Sequence, residues 1–274
     1  DHVCLSGISS SGNREIPMRK LISVMILALG IAALGHAQES QPLQLFACKL
    51  NEGKTFSNVM GLAEAYRTAW GKMGNADESA GAFVWTPFRQ GSDYDYIVGF
   101  INSSLTDMVN GLKNNYGSGM GAGLDALFTT TGDCISAIML SEEIKDGTMG
   151  QTADDQPDAF VELFACTLND GADMDDVKAA EEYWRKQIAD LNNDAVNQYE
   201  AYRWTPYRGG TGQADLLWVG NYPDIDTWAA GEDAYLGSKQ QIAADERFEK
   251  VTTCTSGLWN GFWIVPPAAG PTAQ

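Results

Sequence analysis

The chain has 274 residues, of which 36 are acidic and 18 are basic, so its net charge is −18. Nucleic-acid binding depends on basic patches, and docking on anionic lipid depends on clusters of lysine and arginine. The composition therefore argues against nucleic acid and against membrane surfaces as partners.

An export signal is predicted near the start of the sequence. A basic pair at 19–20 precedes an apolar run at 21–34 and a small-residue exit at 35–37, which are the parts of a cleavable signal peptide. The apolar run is shorter than the roughly 20 residues that a membrane-spanning helix needs. We predict an upstream non-native leader at 1–17, a signal peptide at Met18–Ala37, no integral membrane segment after cleavage, and a secreted or periplasmic protein.

Removal of residues 1–37 changes the inventory of chemical groups. It takes away both histidines of the chain, His2 and His36, and the cysteine Cys4, which leaves four cysteines. It also removes two acidic and three basic residues, so that the net charge becomes about −19. Without histidine the chain has no Ser-His-Asp or Cys-His catalytic pair and no histidine ligand for a metal or for haem. We therefore predict no cofactor and no metal site.

Alternating apolar residues predict strands, and a 3.6-residue apolar period predicts helices. In the first half the predicted order is a strand at 43–50, a helix at about 55–73, strands at 82–89 and 94–101, a helix from 104, a glycine-rich loop at 117–123 and a strand at 134–140. The second half has strands at 160–168, 199–207, 216–222 and 255–265, with helices at 174–191, 224–236 and 238–248. The predicted divisions are repeat 1 at 41–140, an acidic linker at 141–158, repeat 2 at 159–266 and a tail at 267–274.

The two halves carry the same landmarks in the same order. Trp85-Thr-Pro-Phe-Arg89 returns as Trp204-Thr-Pro-Tyr-Arg208, and the cysteines recur at offsets of 118 and 120 residues. A nearly constant offset over a hundred residues indicates a tandem duplication. Each repeat has the order β-α-β-β-α-β, which is the ferredoxin-like plan.

The ferredoxin-like plan places the first and last strands of a repeat side by side and antiparallel. Four cysteines allow three pairings, and both the repeat and this geometry favour Cys48–Cys134 and Cys166–Cys254. Export would make oxidation of these pairs favourable. Buried free thiols are the alternative.

The predicted strands carry apolar residues on both faces, so each sheet needs a cover on the side away from its helices. Two sheets can cover each other within one chain, and this arrangement resembles the dimeric α+β barrel superfamily. The resemblance implies an α+β fold in which two βαββαβ ferredoxin-like repeats pack sheet to sheet as a pseudo-dimeric α+β barrel. It also implies a ligand cavity between sheet and helices. The haem-handling branches of the superfamily depend on histidine, whereas its cofactor-free oxygenases use residues such as Asn, Trp and Arg on quinol-like substrates.

Trp85, Arg89, Trp204 and Arg208 are the candidate ligand-binding residues. If each Trp-Thr-Pro segment is extended, its tryptophan and arginine share one face, where a ring and a guanidinium could hold a small anionic or aromatic ligand. In the alternative, the tryptophans cover the core and each arginine meets one of the many carboxylates.

Two functions follow from these observations. The favoured one is an exported, disulfide-stabilised tandem-repeat protein that acts as a small-ligand-binding or structural module and not as a classical enzyme. The alternative is a cofactor-free, monooxygenase-like enzyme that acts on a small aromatic substrate. A closed cavity with an arginine and a buried carboxylate would favour the enzyme, and a filled core would favour the module. Nothing in the sequence indicates an oligomeric state.

Overall fold

Eight antiparallel strands form a closed barrel in the computed structural model, which describes residues 40–72, 81–88, 93–117, 119–147, 157–209 and 214–266. The strands are β1 (Gln41–Leu50), β2 (Gly81–Pro87), β3 (Tyr96–Ile101), β4 (Gly132–Lys145), β5 (Ala159–Leu168), β6 (Glu200–Gly209), β7 (Leu216–Tyr222) and β8 (Thr252–Val265). All described residues belong to the unit that begins at Ser40. The predicted leader, signal peptide and tail lie outside the described residues.

The strand order around the barrel is β1-β3-β2-β8-β5-β7-β6-β4. The first four strands therefore stand in the order β4-β1-β3-β2 and the last four in the order β8-β5-β7-β6. Pairing of β2 with β8 and of β4 with β6 closes the ring. Closure leaves no strand edge exposed.

Seven helices accompany the strands in the described part of the chain. They are α1 (Phe56–Lys72), α2 (Leu105–Gly117), α3 (Met120–Thr131), α4 (Met174–Ala189), α5 (Asp194–Gln198), α6 (Ile225–Tyr235) and α7 (Lys239–Val251). Short polar side chains start several of them, as N-cap rules predict. Asp173 caps α4 by accepting from the backbone N–H groups of Asp175 and Asp176. None of the helices in these ranges is long and apolar enough to cross a membrane.

Strand alternation divides the core into a barrel interior and two outer layers. One cluster draws residues from all eight strands and none from a helix, which places it inside the barrel; it includes Leu43, Phe83, Trp85, Met139, Val161, Trp204 and Trp259. A second cluster joins α1 to the outer face of the first four strands and of the end of β8. A third joins α4 and α7 to the outer face of the last four. The prediction that both faces of each sheet would be covered is confirmed.

Both predicted disulfides are present. Cys48 and Cys134 stand opposite each other on β1 and β4, and Cys166 and Cys254 do so on β5 and β8. Each pair has its Cα atoms 4.0 Å apart. Antiparallel pairing of the first and last strands of each half therefore brings the cysteines into register, as the ferredoxin-like plan implied.

The glycine-rich stretch at 117–123 was predicted to be a loop, and this was wrong for Met120–Gly123, which are helical. Helix α3 begins at Met120, directly after Gly119, whose φ of 76° only glycine adopts easily. Glycine lowers helix propensity, but Phe128 of α3 packs edge-on against Phe46 of β1 at 5.1 Å. Tertiary packing thus overrides the local preference. The short helix α5 was not predicted.

Strand β4 runs to Lys145, so it occupies the first five residues of the segment predicted as an acidic linker. Residues 148–156 of that segment lie outside the described residues. Glu142 and Glu143 of β4 stand opposite Arg203 and Tyr202 of β6. The acidic pair resembled a solvated linker in the sequence because its partners are about 60 residues away.

Candidate functional site

A cavity of about 430 Å³ lies between the outer face of the second-half strands and helices α4, α6 and α7. Its walls are largely aromatic: Phe164, Trp184, Tyr199, Trp218, Tyr222, Tyr235 and Phe248. Five carboxylate residues also line it: Glu162, Glu181, Glu232, Asp245 and Glu249. An apolar cavity of this size with a few convergent polar groups is the usual form of a small-molecule site.

Glu162 is one of the carboxylate residues that line the cavity. It lies on β5, and its Oε1 accepts a hydrogen bond from Trp228 Nε1 at 2.8 Å. Burial raises the pKa of Glu162 to about 7, the nearby Glu232 adds to this rise, and the bond from Trp228 opposes it. A carboxyl group with such a pKa can release and accept protons near neutral pH.

A buried ionic network lies beside the cavity. Arg203 of β6 donates Nη1–H to Glu181 of α4 and Nη2–H to Glu142 of β4. The side chains of Arg203 and Glu181 are only 4% and 5% exposed. Burial raises the pKa of Glu181, and the Arg203 guanidinium opposes that rise.

Three polar atoms of this region have no hydrogen-bond partner within the described part of the chain: Glu181 Oε1, Arg203 Nε and Trp218 Nε1. Glu181 and Trp218 both line the cavity, and Trp218 stands opposite Arg203 across β6 and β7. A buried polar atom left unpaired costs about 1–3 kcal/mol. A ligand with polar atoms could satisfy these groups.

The tyrosines of the cavity are held as neutral phenols. The rings of Tyr199 and Tyr222 lie 4.5 Å apart, and burial raises the pKa of both. Gly220 of β7 makes room for Tyr199, because a Cβ at that position would lie 1.9 Å from the Tyr199 hydroxyl oxygen. The hydroxyl groups can therefore donate hydrogen bonds at neutral pH.

The predicted ligand-binding residues lie elsewhere. Trp85 and Trp204 are buried in the barrel interior and stack on each other at 5.3 Å, with Phe83 on Trp85 at 4.6 Å. Arg208 is exposed, and its guanidinium lies over the ring of Tyr207. Arg89 is outside the described residues. Trp85, Trp204 and Arg208 do not line the cavity, and their role in ligand binding stays a prediction.

A β-bulge explains why Arg208 and Trp204 do not share a surface. The register between β4 and β6 shifts by one residue between Ile138 and Met139, which stand opposite Arg208 and Pro206. The extra residue, Tyr207, breaks the regular alternation of side chains. Sequence reasoning had assumed an unbroken strand from Trp204 to Arg208.

Sequence reasoning did not select Glu162, Glu181 or Arg203 as site residues, although a comparison of the two halves contained a signal for them. At the offsets of 118 and 119 residues, they correspond to Gln44, Ala63 and Val84. At these three positions the first half has a neutral residue and the second half has a charged one. This difference marks the part of the second half that lies in or beside the cavity. By contrast, the offset of 118 residues also relates Val59 to Val177, and both of these apolar residues are buried.

Comparisons with known proteins support the fold. A candidate monooxygenase from Fusobacterium nucleatum is similar over 81% of this chain and 93% of its own, with a TM-score of 0.55 and 13% identity. A candidate monooxygenase from Lactobacillus acidophilus matches over 83% and 97%, with a TM-score of 0.52 and 8% identity. An anthrone oxidase-like protein matches over 85% and 98%, with a TM-score of 0.53 and 13% identity. No protein-family model matches the sequence, and no curated protein matches it. These likenesses show that the chain shares the overall fold of these proteins.

Proposed function

We propose that the protein is a monooxygenase-like enzyme that acts on a small aromatic substrate bound in the second-half cavity. The observation that carries this proposal is the placement of Glu162 inside an aromatic-walled cavity, with its carboxyl group oriented by Trp228. The structural neighbours include two candidate monooxygenases and an anthrone oxidase-like protein, which favours the same chemistry.

Glu162 is the proposed general base. An electron-rich aromatic compound, such as an anthrone, loses a proton from carbon or oxygen to a carboxylate and becomes a delocalised anion. That anion can be oxidised directly by molecular oxygen without a cofactor. For an anthrone the balance is one anthrone plus O₂ giving one anthraquinone plus one water, so one oxygen atom enters the product and the other leaves as water.

The surrounding groups suit this role. The pKa of about 7 makes Glu162 a stronger base than an ordinary glutamate while leaving part of it ionised at neutral pH. The neutral phenols of Tyr199 and Tyr222 can donate hydrogen bonds to a developing negative charge. The rings of Trp184 and Trp218 offer faces and edges against which a planar substrate can pack.

We also propose that the protein is a tandem duplication and that it is exported from the cytoplasm. The recurrence of the strand order β4-β1-β3-β2 as β8-β5-β7-β6 supports the duplication. Two disulfides are typical of an oxidising compartment, which supports export. Sequencing the N-terminus of secreted protein tests export, and a mature chain that begins well before Gln38 would contradict the predicted cleavage.

The experiment for the enzymatic proposal is oxidation of anthrone under ¹⁸O₂, followed by mass spectrometry of the anthraquinone. We expect one ¹⁸O atom per product at a rate well above that without protein. Glu162→Gln should reduce kcat/KM by about 10²–10⁴-fold, the usual contribution of a general base. In the wild type kcat/KM should rise as pH rises through about 7, because the ionised carboxylate is the active form. Equal rates for wild type and Glu162→Gln would refute the assignment.

A further inference from the structure

The charged side chains among the described lining residues of the cavity are all carboxylates. Five carboxylate residues line it, and none of its described lining residues is a lysine, an arginine or a histidine. The nearest buried cation, Arg203, already serves Glu181 and Glu142. Carboxylates with no basic side chain among the described lining residues disfavour the entry of an anion.

Two of the carboxylates have surroundings that favour a cationic ligand. Glu162 accepts a hydrogen bond from Trp228 and lies close enough to Glu232 for the two carboxylates to repel each other. Glu181 is 5% exposed, yet its Oε1 has no partner within the described residues. Buried carboxylates normally pair with a cation or with hydrogen-bond donors. A ligand that carries positive charge and N–H groups would meet both needs.

The aromatic walls favour the same kind of ligand. Trp184 meets Trp218 edge to face at 4.9 Å, and Tyr199 and Tyr222 lie 4.5 Å apart. The faces of such rings attract cations, an interaction worth about 2 kcal/mol or more when the cation is desolvated. Carboxylates together with several aromatic faces are a common arrangement for binding an organic ammonium group.

We propose that the second-half cavity selects small aromatic ligands that carry a protonated amine. The ammonium group neutralises the cavity carboxylates, and the aromatic ring packs against the tryptophans and tyrosines. This inference uses the cavity of the proposed function and adds the charge of its occupant. It also opposes the anionic ligand that the sequence allowed.

Binding of three compounds of similar shape tests the proposal: tyramine, 4-ethylphenol and 3-(4-hydroxyphenyl)propionate, which are cationic, neutral and anionic at pH 8. Isothermal titration calorimetry on the purified, oxidised protein gives each affinity. We expect tyramine to bind at least about tenfold more tightly than 4-ethylphenol, and the propionate to bind more weakly than either.

Variants separate the charge effect from general damage to the fold. Glu162→Gln should weaken tyramine binding by about tenfold or more, because it removes the negative charge. It should leave 4-ethylphenol within about twofold, because the glutamine amide oxygen can still accept a hydrogen bond from the phenol hydroxyl group. Glu181→Gln provides a second test if Glu162→Gln does not fold. The matched control is Glu182→Gln, because Glu182 is exposed on the same helix as Glu181 and pairs with Lys186; it should change neither affinity.

Each outcome has a distinct meaning. If 4-ethylphenol binds as tightly as tyramine, or if Glu162→Gln weakens both equally, selection for a cation is refuted while the cavity remains a ligand site. If the propionate binds most tightly, the inference is also refuted. If none of the three compounds binds, both this inference and the proposed use of the cavity for small aromatic ligands are overturned.

Discussion

Glu162→Gln should make the stability of the protein less dependent on pH. The pKa of Glu162 rises from 4.5 to about 7 because the carboxyl group is buried. The folded state therefore holds this proton more tightly than the unfolded state does. The stability that results is fully present below pH 4.5 and is lost as pH rises to 7. Since each pKa unit corresponds to 1.36 kcal/mol, the loss amounts to about 3 kcal/mol at most.

Glutamine resembles the protonated carboxyl group in shape and can still accept the bond from Trp228. The variant should thus equal the wild type in free energy of unfolding at pH 4.5 and exceed it by up to about 3 kcal/mol at pH 8. Urea unfolding at both pH values, with the disulfides intact, measures the difference. Glu182→Gln should show no such gain at pH 8, because Glu182 is exposed. A gain that is the same at pH 4.5 and at pH 8 would refute the reasoning that burial of the Glu162 charge destabilises the fold.

Three further predictions concern the ionic network of Arg203, the second-half disulfide, and the packing of Tyr199 against Gly220. Arg203→Met should reduce the free energy of unfolding by about 3–5 kcal/mol, because it leaves a buried carboxylate without its cation; a loss below about 1 kcal/mol in urea unfolding would contradict the network. Replacing Cys166 and Cys254 together by serine should cost roughly 4–5 kcal/mol by the chain-entropy model, since the bridge spans 88 residues, and an unchanged urea midpoint would contradict this. Gly220→Ala should displace the Tyr199 ring and weaken the binding of 4-ethylphenol in a fluorescence titration, whereas wild-type affinity would show that the ring does not shape the cavity.

Most of the order of strands and helices along the chain could be predicted from the sequence, because it depends on local apolar patterns that recur in both halves. Leu216–Tyr222 was predicted with the bounds that β7 has. Pairing of Cys48 with Cys134 also followed, since the plan of the repeat brings their strands together. These features depend on short-range periodicity and on a few long-range pairings that the fold plan dictates.

A cavity between sheet and helices was implied by the resemblance, but its polar groups could not be predicted, because they come from separate elements. Glu162 lies on β5, Glu181 on α4 and Glu232 on α6. Their burial depends on how the helices cover the sheet, which no local pattern shows. The enclosure of Trp85 and Trp204 could not be predicted for the same reason, since only their mutual stacking in the closed barrel shows it.

The two halves differ at one further position that bears on the cavity. Phe100 pairs with Gln44 on β1 as Gly220 pairs with Glu162 on β5. The Phe100 ring packs against Tyr66 at 5.3 Å, whereas Gly220 leaves room for the Tyr199 hydroxyl group. A comparison of the halves position by position would have directed attention to the second half.

A crystal structure of the protein with bound 4-ethylphenol, grown without oxygen, tests the central claim most directly. We predict that the ring lies between the helices and the second-half strands, in contact with Trp184 or Trp218. Its hydroxyl group should lie within hydrogen-bond distance of a cavity carboxylate, Glu162 or Glu181. A ligand bound in the barrel interior beside Trp85 and Trp204, or a cavity that stays empty at saturating ligand, would contradict the account.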